Sequence, residues 1–568
     1  MIGTELAKRS SKRKGRIFLL GFFSVLWGGL LTWRLLSLQV FSFEEWESWA
    51  LKQHGKEIQV ASERGPIYDR EGRLLAVSVP AGSVFVRPKE VKDRDLVVAT
   101  LSDTLGIPPS EIKKKLNSSS PFIWIKRQIP REVAYQVEDI PGVGVMLESK
   151  RYYPYGHAAS SLIGKVGIDG TGLSGLEAVF EKKLFSDHAK VKVMRDAKGN
   201  IIQTRGDFEI PKGSELSLSL DAELQLILEE ELLAGQEKAK ALAALGVLID
   251  ADTGEVLALG QSPSFNLNDP IDVKSLKNKL AETVIEPGSI LKPIVAAAAL
   301  DHFVVKPDEM IDCEKGKYRF AGKTIKDVKE SGVITFSDVV VKSSNIGMTK
   351  VGVRLGKERL YHELRKFGLG EPSGLGLPGE SRGILRSPKN WAMVDVATHS
   401  FGQGVAITPL QMVRAIAAIV NGGVLPQLTI KTQSSIDGQR IISERAALLT
   451  KKMMIGVIDE THGTGKAASI PGVVVGGKTG TAQKARKNGR GYEPGAYVAS
   501  FAGFVEGESI GVAKRLALVI MIDEPRGGVI YGGALAAPVF KKVMVRSLNY
   551  LATRKKLKGG VQPVRFNS

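Results

Sequence analysis

Three short motifs stand in order along this chain, Ser289-Ile-Leu-Lys292, Ser343-Ser-Asn345 and Lys478-Thr-Gly-Thr481, and they constrain fold and chemistry more than any bulk property. Each alone is weak: Ser-x-x-Lys recurs by chance on exposed helices, Ser-Ser-Asn is an ordinary helix cap, and Lys-Thr-Gly-Thr is a glycine-containing turn. Order, spacing and local context make them a set. Glu286-Pro287-Gly288 is a turn, and the Ala-, Val- and Leu-rich run from Ile290 to Leu300 predicts a buried helix with Ser289 in its first turn. Residues three apart share a helix face, so Lys292 can direct its amine at the Ser289 hydroxyl. Ser343 to Asn345 falls between the segments Ile334 to Val341 and Ile346 to Leu355, in a predicted helix-to-helix loop. Lys478 to Thr481, flanked by Val473 to Val475 and Tyr497 to Val505, predicts a sheet-edge strand whose Gly480 lets a substrate backbone approach closely.

These residue types suit acyl transfer. Ser289 attacks a carbonyl carbon, but a serine hydroxyl needs a base within hydrogen-bond reach. Lys292 is the nearest candidate. A free lysine amine has a pKa of about 10.4, so the site must depress it through partial desolvation and a second cation, for which Lys478 is placed. Ser343 then relays a proton between Lys292 and the leaving amine, and Asn345 holds the substrate amide. The backbone amides of Ser289 and Thr481 are the natural donors to the oxyanion. The Thr479 and Thr481 hydroxyls, with the Lys478 charge, suit a substrate carboxylate.

With these residues the chain resembles, nearly end to end, the class B penicillin-binding proteins, monofunctional peptidoglycan D,D-transpeptidases. Arg64-Gly-Pro-Ile-Tyr-Asp-Arg70 with Gly72 and Leu74-Leu-Ala76 resembles that family's N-terminal pedestal signature, as do Arg151-Tyr-Tyr-Pro154, Gly164, Gly172 and Gly175-Leu-Glu177. Ser400-Phe-Gly-Gln-Gly404, Thr408-Pro-Leu-Gln411, Gly463-Thr-Gly465 and Tyr531-Gly-Gly533 look like its catalytic-half landmarks. The resemblance implies cross-linking of peptidoglycan stem peptides through a serine acyl-enzyme and inactivation by β-lactam antibiotics. It implies catalytic roles for Ser289, Lys292, Ser343, Asn345 and Lys478 and substrate binding by Thr479, Gly480 and Thr481. The compact pedestal and the anchor end from Arg34 to Val40 look more like the cell-division, FtsI-type branch than the elongation branch. That branch implies work beside a membrane glycan polymerase of the FtsW type and other division proteins.

A chain of 568 residues with 43% hydrophobic content is too long for one compact domain and ample for two cores. The expected class is α+β: the penicillin-recognising serine transpeptidase fold, a central antiparallel sheet with helices on both faces, joined to a β-rich pedestal and one transmembrane anchor helix. Asp221 to Lys240 reads as an amphipathic helix, Ala244 to Gly260 as a hairpin turning at Asp252-Thr-Gly254, Leu516 to Ile522 as a strand and Ala537 to Leu551 as a closing helix. The expected divisions are a basic cytoplasmic tail at 1–16, the anchor at 17–41, a pedestal of the dimerisation type at 42–225, the transpeptidase domain at 226–552 and a solvated basic tail at 553–568.

Lys8 to Arg16 precedes the apolar stretch from Ile17 to Trp33, which predicts a cytoplasmic N-terminus and an extracytoplasmic catalytic domain. Arg34 interrupts the apolar run and can snorkel or face a partner helix. No small-residue cleavage site follows, so an uncleaved anchor is expected over a signal peptide. The net charge of +19 is spread along the chain without a nucleic-acid module, which points to a membrane or an anionic wall polymer and not to nucleic acid. The seven histidines are scattered and Cys313 is the single cysteine, so neither metal nor other cofactor is expected and Cys313 reads as a small, partly buried apolar residue. Two further readings belong to other classes. A catalytically spent penicillin sensor or scaffold is opposed by the intact motifs. A hydrolase is disfavoured by the large pedestal and by Ser344, which stands where lactamases carry Asp in Ser-Asp-Asn. Glu380, the one candidate for a deacylating base, reads as a solvated loop carboxylate.

Overall fold

The computed structural model describes residues 3–43, 46, 49, 55–60, 63–185, 189–195, 201–204, 212–271, 276–432, 438–458, 461, 463–486, 491–512 and 514–559. They fall into two units, Met1–Glu63 with Ser186–Lys212, and Arg64–Phe185 with Gly213–Ser568. In the first unit, helix α1 (Gly3–Leu36) continues into a π-helical turn at Ser37–Phe41. Its segment Arg16–Phe41, 26 residues long and with none of its apolar window buried, is the one helix among the described residues long and apolar enough to cross a membrane. At 1.5 Å per residue it reaches about 39 Å, longer than a hydrocarbon core of ~30 Å. Three short strands, Gly55–Val60, Ala189–Arg195 and Ile201–Thr204, form an antiparallel sheet in the same unit.

The second unit starts with the pedestal. Strands β1 (Ile67–Tyr68), β2 (Leu74–Val86), β3 (Ile123–Ile129), β4 (Val143–Tyr152) and β5 (Leu216–Ser217) pair in the order β3-β2-β1-β5, with β4 also on β2. Apolar side chains such as Val84, Leu101, Ile112 and Ile125 form a core of their own. Beneath them three sequence landmarks meet. Arg64 Nε donates to Glu177 Oε2 at 2.5 Å and Arg151 Nε to Glu177 Oε1 at 2.7 Å, with the Glu177 side chain fully buried between them. A carboxylate this deep is tolerable only when its charge is matched and its lone pairs are occupied, and the two guanidinium groups do both.

Helix α2 (Ala222–Ala239) starts where Asp221 caps it, accepting from the Glu223 and Leu224 amides. It runs across the expected domain boundary at 225/226. Midway along it, Glu229 Oε1 accepts from Gln225 Nε2 at 2.7 Å and from the pedestal amide of Ala159 at 3.0 Å, while Oε2 has no partner among the described residues.

Beyond α2, β6 (Ala243–Asp250) and β7 (Val256–Ser262) form the expected hairpin. The Asp250 carboxylate receives the Asp252 amide in the turn. A helical region follows with α3 (Lys292–Asp301), a small hairpin β8 (Lys317–Phe320) and β9 (Lys323–Lys326), α4 (Phe336–Val341), α5 (Asn345–Leu355) and α6 (Pro409–Val420). The chain then returns as β10 (Val474–Ala485), β11 (Tyr492–Glu506), β12 (Arg515–Asp523) and the closing helix α7 (Gly532–Gly559). The sheet order is β7-β6-β12-β11-β10, and every pair is antiparallel.

Both faces of this sheet are buried. On β6, Leu245, Val247 and Ile249 pack with α3 to α6, while Ala244 and Leu248 join Leu228, Leu232 and Phe540 of α2 and α7. Alternation by two is what a strand requires, and burying each such Leu, Val or Ile contributes roughly 1.5–3 kcal/mol. The α+β class with one antiparallel sheet between helical layers is therefore as expected.

The end of the chain departs from expectation. Residues 553–559 are not a solvated tail but the last turns of α7, and Arg554 pairs with Glu71 of the pedestal and with Asp221 Oδ2 at 3.3 Å. Asp221 is fully buried, and its charge draws in Arg73 at 2.7 Å and the Tyr550 hydroxyl at 3.1 Å as well. Residues 560–568 lie outside the described residues.

Candidate active site

The serine of the first motif sits in a single 3-10 turn, Gly288–Leu291, which leads directly into α3 at Lys292. Ser289 is half-exposed, whereas Lys292 is fully buried. The turn is held from behind by the Ser400-to-Gly404 loop: Gly288 N donates to Gly402 O at 2.9 Å, and Gly402 adopts φ +89°. A Cβ on Gly402 would lie 2.0 Å from Gly288 O, so only glycine lets the loop close on the nucleophile turn.

Lys292 reaches the second motif. Its Nζ donates to Ser343 O at 2.6 Å, Ser343 Oγ at 3.1 Å and Asn345 Oδ1 at 2.8 Å. Ser343 occupies the left-handed region at φ +64°, a conformation that costs a non-glycine residue about 1–3 kcal/mol and is retained where the surroundings over-determine it. Among the described residues the Ser289 hydroxyl makes no hydrogen bond, so the motif lysine is oriented by the Ser-Ser-Asn loop and not by the serine. Burial, and after it the charge of Lys478, holds the Lys292 amine well below the ordinary lysine range, while Asp327 and Cys313 act in the opposite direction.

Sequence reasoning missed the residue that holds this loop. Asp327 Oδ1 accepts the Asn345 amide at 2.6 Å and the Ile346 amide at 3.0 Å, and Oδ2 accepts the Ser344 hydroxyl at 2.6 Å. It thus caps α5 from another segment, where an anion meets the free N–H groups and positive end of the helix dipole. Asn345 is held on its other side by donating Nδ2 to Lys326 O at 2.9 Å. Cys313, fully buried and not partly so, lies with its Sγ 3.3 Å from the Ser344 oxygen, and burial pushes its thiol up.

The third motif lies on β10, at the edge of the sheet, as expected. Lys478 is fully buried, its Nζ donates to Thr479 O at 3.3 Å, and desolvation pushes its amine down to about 7. The alternation of the strand puts Thr479 and Thr481 on one face, both half-exposed. Thr479 Oγ1 donates to Thr464 Oγ1 at 2.9 Å, and Thr481 Oγ1 accepts the Gly532 amide at 3.2 Å. Two further landmarks, Gly463-Thr-Gly465 and Tyr531-Gly-Gly533, therefore serve this strand. Gly480 is required by the protein's own packing: a Cβ there would meet Ser500 Oγ at 2.4 Å and Pro287 O at 3.1 Å.

Two carboxylates near these elements are already engaged. Glu286, three residues before the serine, accepts the Gly404 amide at 2.9 Å on Oε1 and the Tyr492 hydroxyl at 3.0 Å on Oε2, and burial pushes its carboxyl up. Glu380 is half-buried, not fully solvated, and its Oε1 accepts the Ser373 amide at 2.7 Å. Neither makes a hydrogen bond to Ser289 among the described residues.

The penicillin-binding protein transpeptidase domain family matches residues 244–545, and the penicillin-binding protein dimerisation domain family matches residues 59–218. The chain is 35% identical over 564 residues to the probable peptidoglycan D,D-transpeptidase PenA of Neisseria meningitidis, covering 96% of this chain and 94% of that one. It is 34% identical over 506 residues to the peptidoglycan D,D-transpeptidase FtsI of Escherichia coli, covering 86% and 84%. Among solved structures, penicillin-binding protein 3 of Mycobacterium tuberculosis complexed with aztreonam superposes with a TM-score of 0.65 at 26% identity, covering 89% of this chain and 98% of that one.

Proposed function

This chain belongs to the penicillin-binding protein transpeptidase family, and we propose that it is a peptidoglycan D,D-transpeptidase that cross-links wall peptides through an acyl-enzyme on Ser289. The observation that carries the reading is the grip of the buried Lys292 amine on Ser343 and Asn345, 51 and 53 residues away. Only the neutral form of an amine can accept a proton, and burial shifts this one toward that form. Ser289 Oγ attacks the carbonyl carbon of the penultimate D-alanine, and its proton passes to Lys292 Nζ. The Ser289 and Thr481 amides receive the oxyanion, whose collapse expels terminal D-alanine with a proton delivered through Ser343. An amine from a second stem peptide then attacks the ester and releases Ser289. Lys478, Thr479 and Thr481 bind the terminal carboxylate, and Asn345 the peptide amide.

The septal role rests on the relationship to FtsI and on the compact pedestal. In this reading α1 anchors the chain in the cytoplasmic membrane with its basic N-terminus inside and the catalytic half outside. There it works with a glycan polymerase of the FtsW type. In this reading β-lactams are inactivators, because among the described residues neither Glu286 nor Glu380 makes a hydrogen bond to Ser289. Mass spectrometry of the intact protein after penicillin treatment tests this. One adduct on the Ser289 peptide, lasting from minutes to hours, is expected. Turnover to hydrolysed penicillin within seconds would make the chain a hydrolase, and an adduct elsewhere would remove Ser289 from its role.

A further inference from the structure

The β8–β9 hairpin borders the site and carries an unusual charge pattern. Residues 317–326 contain four cations, Lys317, Arg319, Lys323 and Lys326, and no carboxylate. Lys317 pairs with Lys326, Tyr318 with Ile325, Arg319 with Thr324 and Phe320 with Lys323. Tyr318, Phe320 and Ile325 pack against the core, with the two aromatic rings stacked at 5.7 Å. Alternation therefore turns Lys317, Arg319, Thr324 and Lys326 to the opposite, solvent face, where all four are exposed.

Like charges directly across an antiparallel pair are destabilising, and Lys317 faces Lys326. Among the described residues none of the four cations forms an ion pair that would offset this. The neighbouring acids are otherwise placed. Asp327 caps α5 and Glu314 binds Lys350 at 2.7 Å, while Glu330, which lies against Gly316 next to Lys317, forms no ion pair among the described residues. A local rule broken without internal compensation points to an external partner. The patch is also joined to the chemistry, since Lys326 O holds Asn345, whose Oδ1 holds Lys292.

We propose that the outward face of the β8–β9 hairpin is a subsite for the internal carboxylates of a wall stem peptide whose terminus occupies the Ser289 site. The inference rests on the transpeptidase reading and adds a recognition element to it. A stem peptide is an acidic, extended chain, complementary in charge to the three exposed cations Lys317, Arg319 and Lys326 along one two-stranded face.

The test uses the full-length protein in detergent, with soluble uncross-linked glycan strands carrying stem peptides either native or amidated at their internal carboxylates. Native strands should bind about fivefold more tightly than amidated ones, the combined effect of two exposed ion pairs. That preference should fade with added salt. The double variant Lys317→Glu, Arg319→Glu should lose the preference while its rate of acylation by a fluorescent penicillin stays unchanged. If that variant does not fold, Lys317→Gln, Arg319→Gln supplies the same comparison. Equal binding of the two strand preparations, or a variant that keeps the preference, overturns the proposal. Absence of penicillin labelling in the unsubstituted protein fails the transpeptidase reading instead, and the strand comparison does not depend on it.

Discussion

The Tyr492 hydroxyl lies 3.0 Å from Glu286 Oε2, and through this contact the strand that follows the Lys478 motif holds the turn that carries Ser289. Tyr492→Phe leaves a partly buried carboxylate with one donor fewer, a loss of about 1–3 kcal/mol for the affected group. Part of that loss should appear as disorder of the nucleophile turn. Acylation by penicillin is expected to slow by about tenfold, equivalent to about 1.4 kcal/mol. Tyr497→Phe, which removes only a long contact with Gln483 at 3.4 Å, should leave the rate unchanged. Equal rates for both variants would show that the Glu286 contact positions nothing.

Ser289→Ala should abolish penicillin labelling and leave thermal unfolding nearly unchanged, because it deletes the attacking oxygen and little packing. Lys292→Ala should slow acylation by roughly 100- to 10,000-fold through loss of the base. The second variant also leaves a cavity beside the Ser343 loop, so Lys292→Met, which fills the same space, separates the loss of the amine from the loss of packing. A mild defect in the Met variant would exclude Lys292 as the base.

Lys478, pushed down to about 7, makes acylation sensitive to pH near neutrality. Its amine is charged below that value and neutral above it, and only the charged form attracts a carboxylate. The second-order rate constant for a carboxylate-bearing penicillin should therefore fall as pH rises past about 7. A neutral ester of the same penicillin should lack this limb. Identical profiles for acid and ester in stopped-flow labelling would detach Lys478 from carboxylate recognition.

Glu229 gives the fold its own pH dependence. Its carboxyl is pushed up to about 8 by burial between α2 and the pedestal, against about 4.5 when unfolded. Between those values the native state binds more protons than the unfolded state, so this group's contribution to stability falls as pH rises from about 4.5 to about 8. Glu229→Gln imitates the protonated form and should flatten that decline. Thermal melts at pH 5.5 and pH 8 would show it as a variant whose advantage over the natural protein grows with pH. Parallel shifts would mean that Glu229 is ionised throughout.

The three motifs were legible in the sequence because each packs its chemistry into three or four consecutive residues, where helix and strand periodicity are enough to orient side chains. The order of strands around a helical region was legible for the same reason. What escaped were contacts between segments with no local signature. Asp327 follows a short hairpin and resembles any exposed acid until α5 is folded against it. The Glu286–Tyr492 contact spans 206 residues. Arg554 stands in a basic run that reads as solvent-exposed, and the carboxylates of Asp221 and Glu71 turn it inward. Gly480 was expected to make room for substrate, and the crowding it relieves comes from Ser500 and Pro287.

Helix α7 has a mechanical consequence. Its first residue, Gly532, abuts the Lys478 strand so tightly that a Cβ would lie 2.3 Å from Gly480 O, and near its far end Arg554 is bound to Asp221 and Glu71. Its 28 residues span about 42 Å at 1.5 Å each. One helix thus ties Glu71 of the pedestal to the strand that carries Lys478, so a change in the pedestal's position has a single secondary-structure element through which to reach the active site.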